Sequence, residues 1–172
     1  HLYIGNSTEV EVDGTKVGIT QNTNYPWDGK VSISINLDGS KEFGLGLRIP
    51  GWCSDAKVSV NGQQVDLGSI TVDGYAIINR NWQDGDKVEV DLPMEPVRMR
   101  SNPLVRADIG KVAIQNGPIV YCLEEVDNGS NLQTVVLPKD AALEVSFREE
   151  LLGGVNVITT QGEKAKEEVW GP

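Results

Sequence analysis

The stretch Val31–Ile49, "VSISINLDGSKEFGLGLRI", decides the fold class, because its apolar residues alternate with polar or small ones on both sides of a single turn. The alternating apolar positions are Val31, Ile33, Ile35 and Leu37 before the turn, and Phe43, Leu45, Leu47 and Ile49 after it. A period of two places each set on one face of a β-strand. The stretch therefore predicts a β-hairpin with two half-buried arms, joined at Asp38-Gly39-Ser40.

Turn signals repeat along the whole first half of the chain. That half contains six Asx-Gly pairs: Asp13-Gly14, Asp28-Gly29, Asp38-Gly39, Asn61-Gly62, Asp73-Gly74 and Asp84-Gly85. Most of them follow at the spacing of about 8–12 residues that is typical of sandwiches and barrels. Leu47–Ile49 ends a core strand, so Trp52 and Cys53 are expected to cap the sandwich. Arg48 points away from that apolar face and is expected to pair with an acid on a neighbouring strand.

The sequence pattern changes after Pro93, where prolines and arginines interrupt the alternation of apolar and polar residues. We predict an all-β protein with two β-sandwich domains of antiparallel strands, at residues 1–97 and 98–172. In the second domain, Ile119–Leu123 is apolar on both faces and predicts a central strand covered on each side. Residues 140–152 predict a strand followed by a turn at residues 153–154. Strands of a longer parent could continue past residue 172, so this second domain could be incomplete.

Charge and hydropathy exclude several classes of partner. The 172 residues carry 15 Lys and Arg against 25 Asp and Glu, a formal net charge of -10, and the basic residues are scattered. Nucleic acid and anionic membranes are therefore not expected as partners. The longest apolar run is far shorter than the roughly 20 residues that cross a bilayer, and we expect no signal peptide. We expect a soluble protein, processed or excised at its first residue.

The sequence offers three acidic pairs for general acid–base hydrolysis: Asp84/Asp86, Glu124/Glu125 and Glu149/Glu150. The first pair flanks a turn glycine, and the members of each other pair point to opposite faces if extended. Solvated turns and surface charges are the favoured interpretation. The single histidine, His1, stands at a terminus and is not expected to act as a base.

Metal sites are not expected either. Cys53 and Cys122 are far apart and lack the spacing of a zinc site. Two buried, unpaired thiols are favoured for them over a single disulfide. The segment Asp127–Asn131 is rich in oxygen ligands, but it lacks the spaced acids and the distal glutamate of a calcium loop. A plain turn is favoured there. The sequence therefore predicts no catalytic residue and no metal ligand.

Three tryptophans near turns remain as candidate binding residues: Trp27, Trp52 and Trp82. An exposed indole stacks on the C–H face of a sugar ring, so these residues are candidate carbohydrate-binding positions. The alternative, which is favoured for each of them, is that the indole covers one end of a sandwich core.

Four motifs together resemble one family: "YPWDGKVSISI" (25–35), "FGLGLRIPGWCSDAKVSVNG" (43–62), "GYAIINRNWQDGDKVEVDLPM" (74–94) and "GKVAIQNGPIVYCLEEVDN" (110–128). In order and spacing they are similar to the C-terminal β region of the bacterial β-L-arabinofuranosidases of glycoside hydrolase family 127. The resemblance covers roughly residues 1 to 160.

The resemblance implies two jelly-roll-like β-sandwiches that follow a catalytic (α/α)₆ barrel. It also implies that the zinc-bound cysteine nucleophile and the acidic catalytic residues lie in a Cys-rich segment of that barrel. No position of this sequence matches that segment, so neither Cys53 nor Cys122 takes the role. The expected cofactor of this chain is none, the expected partner is the barrel of the same parent chain, and the chain alone is expected to be inactive.

Three hypotheses follow. The first is a non-catalytic accessory region that supports the barrel and exposes an apolar patch where the barrel would dock. The second is a carbohydrate-binding module that recognises plant cell-wall glycans through Trp27, Trp52 or Trp82. The third is a stand-alone hydrolase that uses its acidic pairs. The compartment stays open between cytoplasm, periplasm and secretion.

Overall fold

The structure is a computed structural model that describes residues 2–165. The chain divides into two compact units, His1–Met94 and Glu95–Pro172. Every strand pair recorded in either unit is antiparallel, and the prediction of an all-β chain of antiparallel strands is confirmed.

The strands of the first unit are, in chain order, β1 (Asn6–Val12), β2 (Thr15–Thr23), β3 (Lys30–Leu37), β4 (Ser40–Arg48), β5 (Lys57–Val60), β6 (Gln63–Gln64), β7 (Thr71–Val72), β8 (Tyr75–Gln83) and β9 (Lys87–Asp91). They form a six-stranded sheet in the order β1-β2-β3-β9-β5-β6 and a three-stranded sheet in the order β4-β8-β7. A short 3₁₀ turn, Leu67–Ser69, lies between β6 and β7.

The two sheets of the first unit share one apolar core. Val31, Ile33, Ile35 and Leu37 are buried on the inner face of β3, as the alternation predicts. Leu47 of β4 and Trp82 of β8 join the same buried cluster from the three-stranded sheet. Side chains of both sheets therefore interdigitate between them, which is the arrangement of a sandwich.

The hairpin predicted at Val31–Ile49 is wrong, although both of its strands are present. β3 pairs with β2 and β9, whereas β4 pairs with β8, so the chain crosses from one sheet to the other at the turn 38–40. The inner faces of both strands still meet the same core. Alternation reports which face of a strand is buried, and it does not report which strand lies next to it.

The second unit contains β10 (Pro96–Met99), β11 (Ala113–Asn116), β12 (Ile119–Tyr121), β13 (Val135–Val136), β14 (Glu144–Arg148), β15 (Val155–Thr159) and β16 (Glu163–Lys164). They form three small sheets, β10-β11-β12, β13-β16 and β14-β15. Its helical elements are one α-helical turn, α1 (Glu125–Asn128), and 3₁₀ turns at Arg106–Asp108 and Leu132–Thr134. The strand predicted within residues 140–152 is confirmed as β14, and a turn follows it.

The central strand predicted at Ile119–Leu123 is wrong. β12 comprises only Ile119–Tyr121 and lies at the edge of its sheet. The side chain of Val120 is 63% exposed, and Leu123 lies exposed beyond the strand. A continuous apolar run indicates burial on both faces only when other layers of the fold cover both faces.

Candidate functional site

Aromatic side chains gather at one end of the first unit, where the segments around residues 3, 25, 52 and 75 meet. The rings of Tyr3 and Tyr25 pack edge to face with their centroids 5.9 Å apart. The Tyr3 hydroxyl donates a hydrogen bond of 2.5 Å to the backbone carbonyl of Arg48, and burial raises the pKa of Tyr3 to about 12. Burial also raises the pKa of Tyr25, and the neighbouring Trp52 side chain opposes part of that increase.

Arg48 contacts several groups at this aromatic end, and among residues 2–165 it has no acidic partner. Its Nη1 donates hydrogen bonds to the carbonyls of Ile49 (2.8 Å) and Gly74 (2.7 Å), and its guanidinium lies 5.3 Å from the ring centroid of Tyr75. Gly74 has a φ of +77°, which favours glycine, and a Cβ there would lie 1.9 Å from Nη1, so the guanidinium would have to move. The expected pairing of Arg48 with a neighbouring acid is therefore wrong, because backbone carbonyls and an aromatic ring hold the guanidinium instead.

The three candidate tryptophans occupy different environments. Trp82 is fully buried in β8, where it stacks on Phe43 at 5.7 Å and its Nε1 donates a 3.0 Å hydrogen bond to the Phe43 carbonyl. A sugar ring cannot reach that indole, so Trp82 is excluded as a carbohydrate-binding residue. Trp27 and Trp52 are half-buried. Trp52 packs against the core and Cys53 is buried, as expected for residues that cap a sandwich.

The pair Asp84/Asp86 has a structural role. Asp84 accepts a 3.2 Å hydrogen bond from the backbone N–H of Leu37. Asp86, 6% exposed, accepts hydrogen bonds from the Gln83 N–H (2.9 Å) and from Asn61 Nδ2 (2.7 Å). Burial favours a higher pKa for Asp86, but these two hydrogen bonds and the charge of Arg80 outweigh it, so its pKa lies below the ordinary value.

Glu124, Glu125, Glu149 and Glu150 are all exposed. Glu150 pairs with Arg148 at 3.3 Å. Within residues 2–165, no group of three or more His, Cys, Asp or Glu could hold a metal ion. His1 lies outside the described residues.

Both cysteines are free, but only one of them is buried. Cys53 is buried, with Sγ 4.0 Å from the carbonyl of Pro93, and burial raises the pKa of its thiol. Cys122 is exposed. The expectation of two buried thiols is therefore wrong for Cys122, because the edge of the β10-β11-β12 sheet that precedes it has no cover.

A depression that no sequence pattern predicts lies on the six-stranded sheet. It has a volume of about 390 Å³, and its lining includes Asn22, Lys30, Ser32, Ser59, Gln64 and Glu89. Several of these residues alternate along their strands with buried apolar residues, so they lie on the outer face of the sheet. The alternation in the sequence therefore indicates a sheet face that carries polar side chains. The depression offers hydrogen-bonding groups without an aromatic platform.

An apolar sheet face is exposed in the second unit. Val97 of β10 pairs with Gln115 of β11, and Gln115 pairs with Val120 of β12. Met99 lies two residues after Val97 in β10, on the same face of the sheet. The exposed fractions of the three apolar side chains are 46% for Val97, 63% for Val120 and 47% for Met99. A face that is apolar on its solvent side is typical of a surface that another polypeptide covers.

The comparisons with known proteins place both units. A family model described as "Beta-L-arabinofuranosidase, GH127 middle domain" matches residues 1–94, and one described as "Glycoside hydrolase family 127 C-terminal domain" matches residues 96–158. A non-reducing end β-L-arabinofuranosidase of Bifidobacterium longum subsp. longum is 37% identical over 169 residues, which are 92% of this chain and 24% of that protein.

Solved structures agree with these matches. A GH127 β-L-arabinofuranosidase from Geobacillus stearothermophilus T6 is similar with a TM-score of 0.95 and 52% identity, over 100% of this chain and 27% of that one. A second GH127 β-arabinofuranosidase has a TM-score of 0.87 and 39% identity, over 95% of this chain and 28% of that one.

The chain thus spans about a quarter of the length of the relatives that it matches. Within the described residues, no helix is both long and apolar enough to cross a membrane. The two family models match adjoining segments, and each of them falls within one of the two compact units. The chain belongs to glycoside hydrolase family 127, of which it comprises the middle and the C-terminal domains.

Proposed function

We propose that this chain is the non-catalytic region of a β-L-arabinofuranosidase-like glycoside hydrolase, and that it packs against and supports a catalytic (α/α)₆ barrel in the rest of the parent polypeptide. The distribution of apolar side chains in the second unit carries the proposal. Of the nineteen exposed large hydrophobic residues among residues 2–165, fourteen lie in residues 95–165, whereas every buried hydrophobic residue of the described chain lies in the segment from Tyr3 to Leu92. A unit whose apolar residues face outward is suited to burial against another domain.

Two further observations support this assignment. The described residues hold no cluster of metal-binding side chains, and the carboxylates of the Asp84/Asp86 pair hold backbone turns and an asparagine. The relatives named as arabinofuranosidases are about four times as long as this chain. We propose that the catalytic residues and the zinc ion lie in the rest of the parent polypeptide.

One experiment tests both the inactivity of this chain and its packing against the barrel. It compares two proteins, this chain and the full-length parent polypeptide. We expect hydrolysis of an aryl arabinofuranoside only by the parent. Val120→Lys puts a charge on the exposed apolar face, so it is expected to leave the unfolding midpoint of the 172-residue chain unchanged. In the parent it is expected to lower the midpoint of thermal unfolding by several degrees, because a buried lysine without a partner is unfavourable.

The matched control is Val72→Lys in β7, since Val72 is 67% exposed against 63% for Val120. We expect Val72→Lys to leave the unfolding midpoint unchanged in both proteins. Equal effects of the two substitutions in the parent, or arabinofuranoside hydrolysis by the 172-residue chain, would contradict the proposed role.

We also propose a second candidate function, recognition of plant cell-wall glycans by the half-buried Trp27 and Trp52. The observation that favours it is that both indoles keep part of their surface in solvent, near a tyrosine-rich end of the first unit. Calorimetry of this chain with arabinan or arabinogalactan tests it. Saturable binding that Trp27→Ala or Trp52→Ala abolishes would support it, and the absence of binding by the unmodified chain would refute it.

A further inference from the structure

Basic side chains of the second unit gather around one cavity, although the chain as a whole is acidic. Residues 95–172 contain eight Lys and Arg and twelve Asp and Glu. Four of those eight basic residues line a cavity of about 400 Å³, namely Arg98, Arg100, Lys111 and Lys139, whereas Asp108 is the single acid among its lining residues. The cavity is therefore lined by an excess of positive charge, although the second unit as a whole has more acidic than basic residues.

These four cations have no carboxylate partner among the residues that the structure describes. Within residues 2–165, the five ion pairs involve other residues. Arg98 donates one hydrogen bond to the Ala141 carbonyl, and its buried Nε–H has no acceptor among residues 2–165. A buried donor without an acceptor is unfavourable, so an acceptor from outside the described residues would stabilise this position.

The rim of the cavity is apolar and exposed. Ile109 and Val112 line the cavity and are 68% and 37% exposed. Leu104, next to the lining residue Pro103, is 88% exposed. A free small anion would cover none of this surface. A protein surface that carries a carboxylate would bury the apolar rim and neutralise the cations at the same time.

We propose that this cavity receives an Asp or Glu side chain from the part of the parent polypeptide outside these 172 residues, and so anchors the second unit by charge. The inference rests on the proposed function and specifies one point of the docking surface. Bidentate hydrogen bonds from guanidinium groups to the incoming carboxylate would hold it there. Nucleic acid is the weaker partner for these cations, because the net charge of -10 repels a phosphate backbone.

The test is amide hydrogen exchange of residues 98–112, in this chain and in the full-length parent. Arg100→Glu is the variant and Arg106→Glu the control, because both side chains are exposed and Arg106 does not line the cavity. In the parent we expect Arg100→Glu to speed exchange of these amides by about tenfold or more, since the incoming carboxylate meets a like charge. We expect the control to leave the exchange in the parent unchanged. In the 172-residue chain we expect neither variant to alter the exchange of these amides.

The outcomes separate the two proposals. If the parent protects residues 98–112 but Arg100→Glu and Arg106→Glu act alike, the charged anchor is wrong and the docking role stands. If the parent gives no added protection, both are wrong. Inorganic phosphate and glucuronate are titrated into the 172-residue chain as well. Binding of either one that Arg100→Glu abolishes, together with no added protection of residues 98–112 in the parent, would identify a small-anion site and overturn the anchor.

Discussion

At the scale of single residues, Asp86 shows how a carboxylate that resembles half of a catalytic pair serves the fold instead. It joins the turn at residue 83 to Asn61 through two hydrogen bonds, and its Oδ2 lies 3.5 Å from the Arg80 guanidinium. The sequence shows two acids around a glycine. The positions of Asn61, 25 residues away in the sequence, and of Arg80 decide that Asp86 is buried, ionised and hydrogen-bonded.

Asp86→Asn is expected to destabilise the first unit by about 1–3 kcal/mol at neutral pH, because the asparagine amide faces donors that need acceptors. The folded-state pKa of Asp86 lies below its ordinary value of 3.8, so its contribution is present above pH 3.8 and is lost as pH falls through the folded pKa. Urea unfolding of both proteins at several pH values measures this. The stability difference should narrow in acid, and a constant difference would contradict the assignment. Asp38→Asn, in an exposed turn, is the control.

The two cysteines are expected to differ in reactivity. Cys53 is buried and burial raises the pKa of its thiol, whereas Cys122 is exposed. Because the exposed thiolate is the reactive species, iodoacetamide should modify one thiol in the native chain and two in denaturant, with native rates that differ by about tenfold or more. Mass spectrometry locates the adducts. Cys122→Ser should abolish the native reaction, and labelling of Cys53 in that variant would show that the site is open.

At the scale of elements, the sandwich of the first unit depends on a close approach between β3 and β9. The Leu92 N–H donates a 3.0 Å hydrogen bond to the Gly29 carbonyl just outside the two strands. A Cβ at Gly29 would lie 1.9 Å from the Leu92 carbonyl oxygen. The Asp28-Gly29 pair therefore marks a place where two backbones touch, and a turn signal in the sequence does not reveal this.

Gly29→Ala is expected to destabilise the first unit by about 1–3 kcal/mol, because the backbones of two paired segments must move apart. Gly51→Ala is the matched control, since a Cβ there meets nothing within 4 Å. Denaturant unfolding followed by near-ultraviolet circular dichroism compares the two variants. Similar midpoints would mean that the contact at Gly29 is absent in solution.

At the scale of the whole molecule, the two units differ in how much apolar surface each one buries. The first has a cluster of buried residues from both sheets, including the fully buried Trp82 and Ile35. Among the described residues of the second unit, no apolar side chain is buried. Since burial of apolar surface is the main favourable contribution to folding, the stability of the second unit depends more on what covers it.

Native-state hydrogen exchange should therefore separate the units. We expect amides of β3, β8 and β9 to exchange only through global unfolding, and amides of β11, β12 and β15 to exchange much faster through local opening. Mass spectrometry of peptides after timed labelling measures both sets. Equal protection in the two units would contradict this expectation and would weaken the case for a missing cover.

The sequence by itself determined the fold class, the inner face of β3 and β4, and the family. Alternation is local, so neighbouring residues carry it without reference to the rest of the chain. Tertiary structure decided the crossing between sheets at residues 38–40, the burial of Trp82, the exposure of β12 and the cavity of four cations. Each of these depends on segments far apart in the chain, and a local pattern cannot report which distant segment covers it.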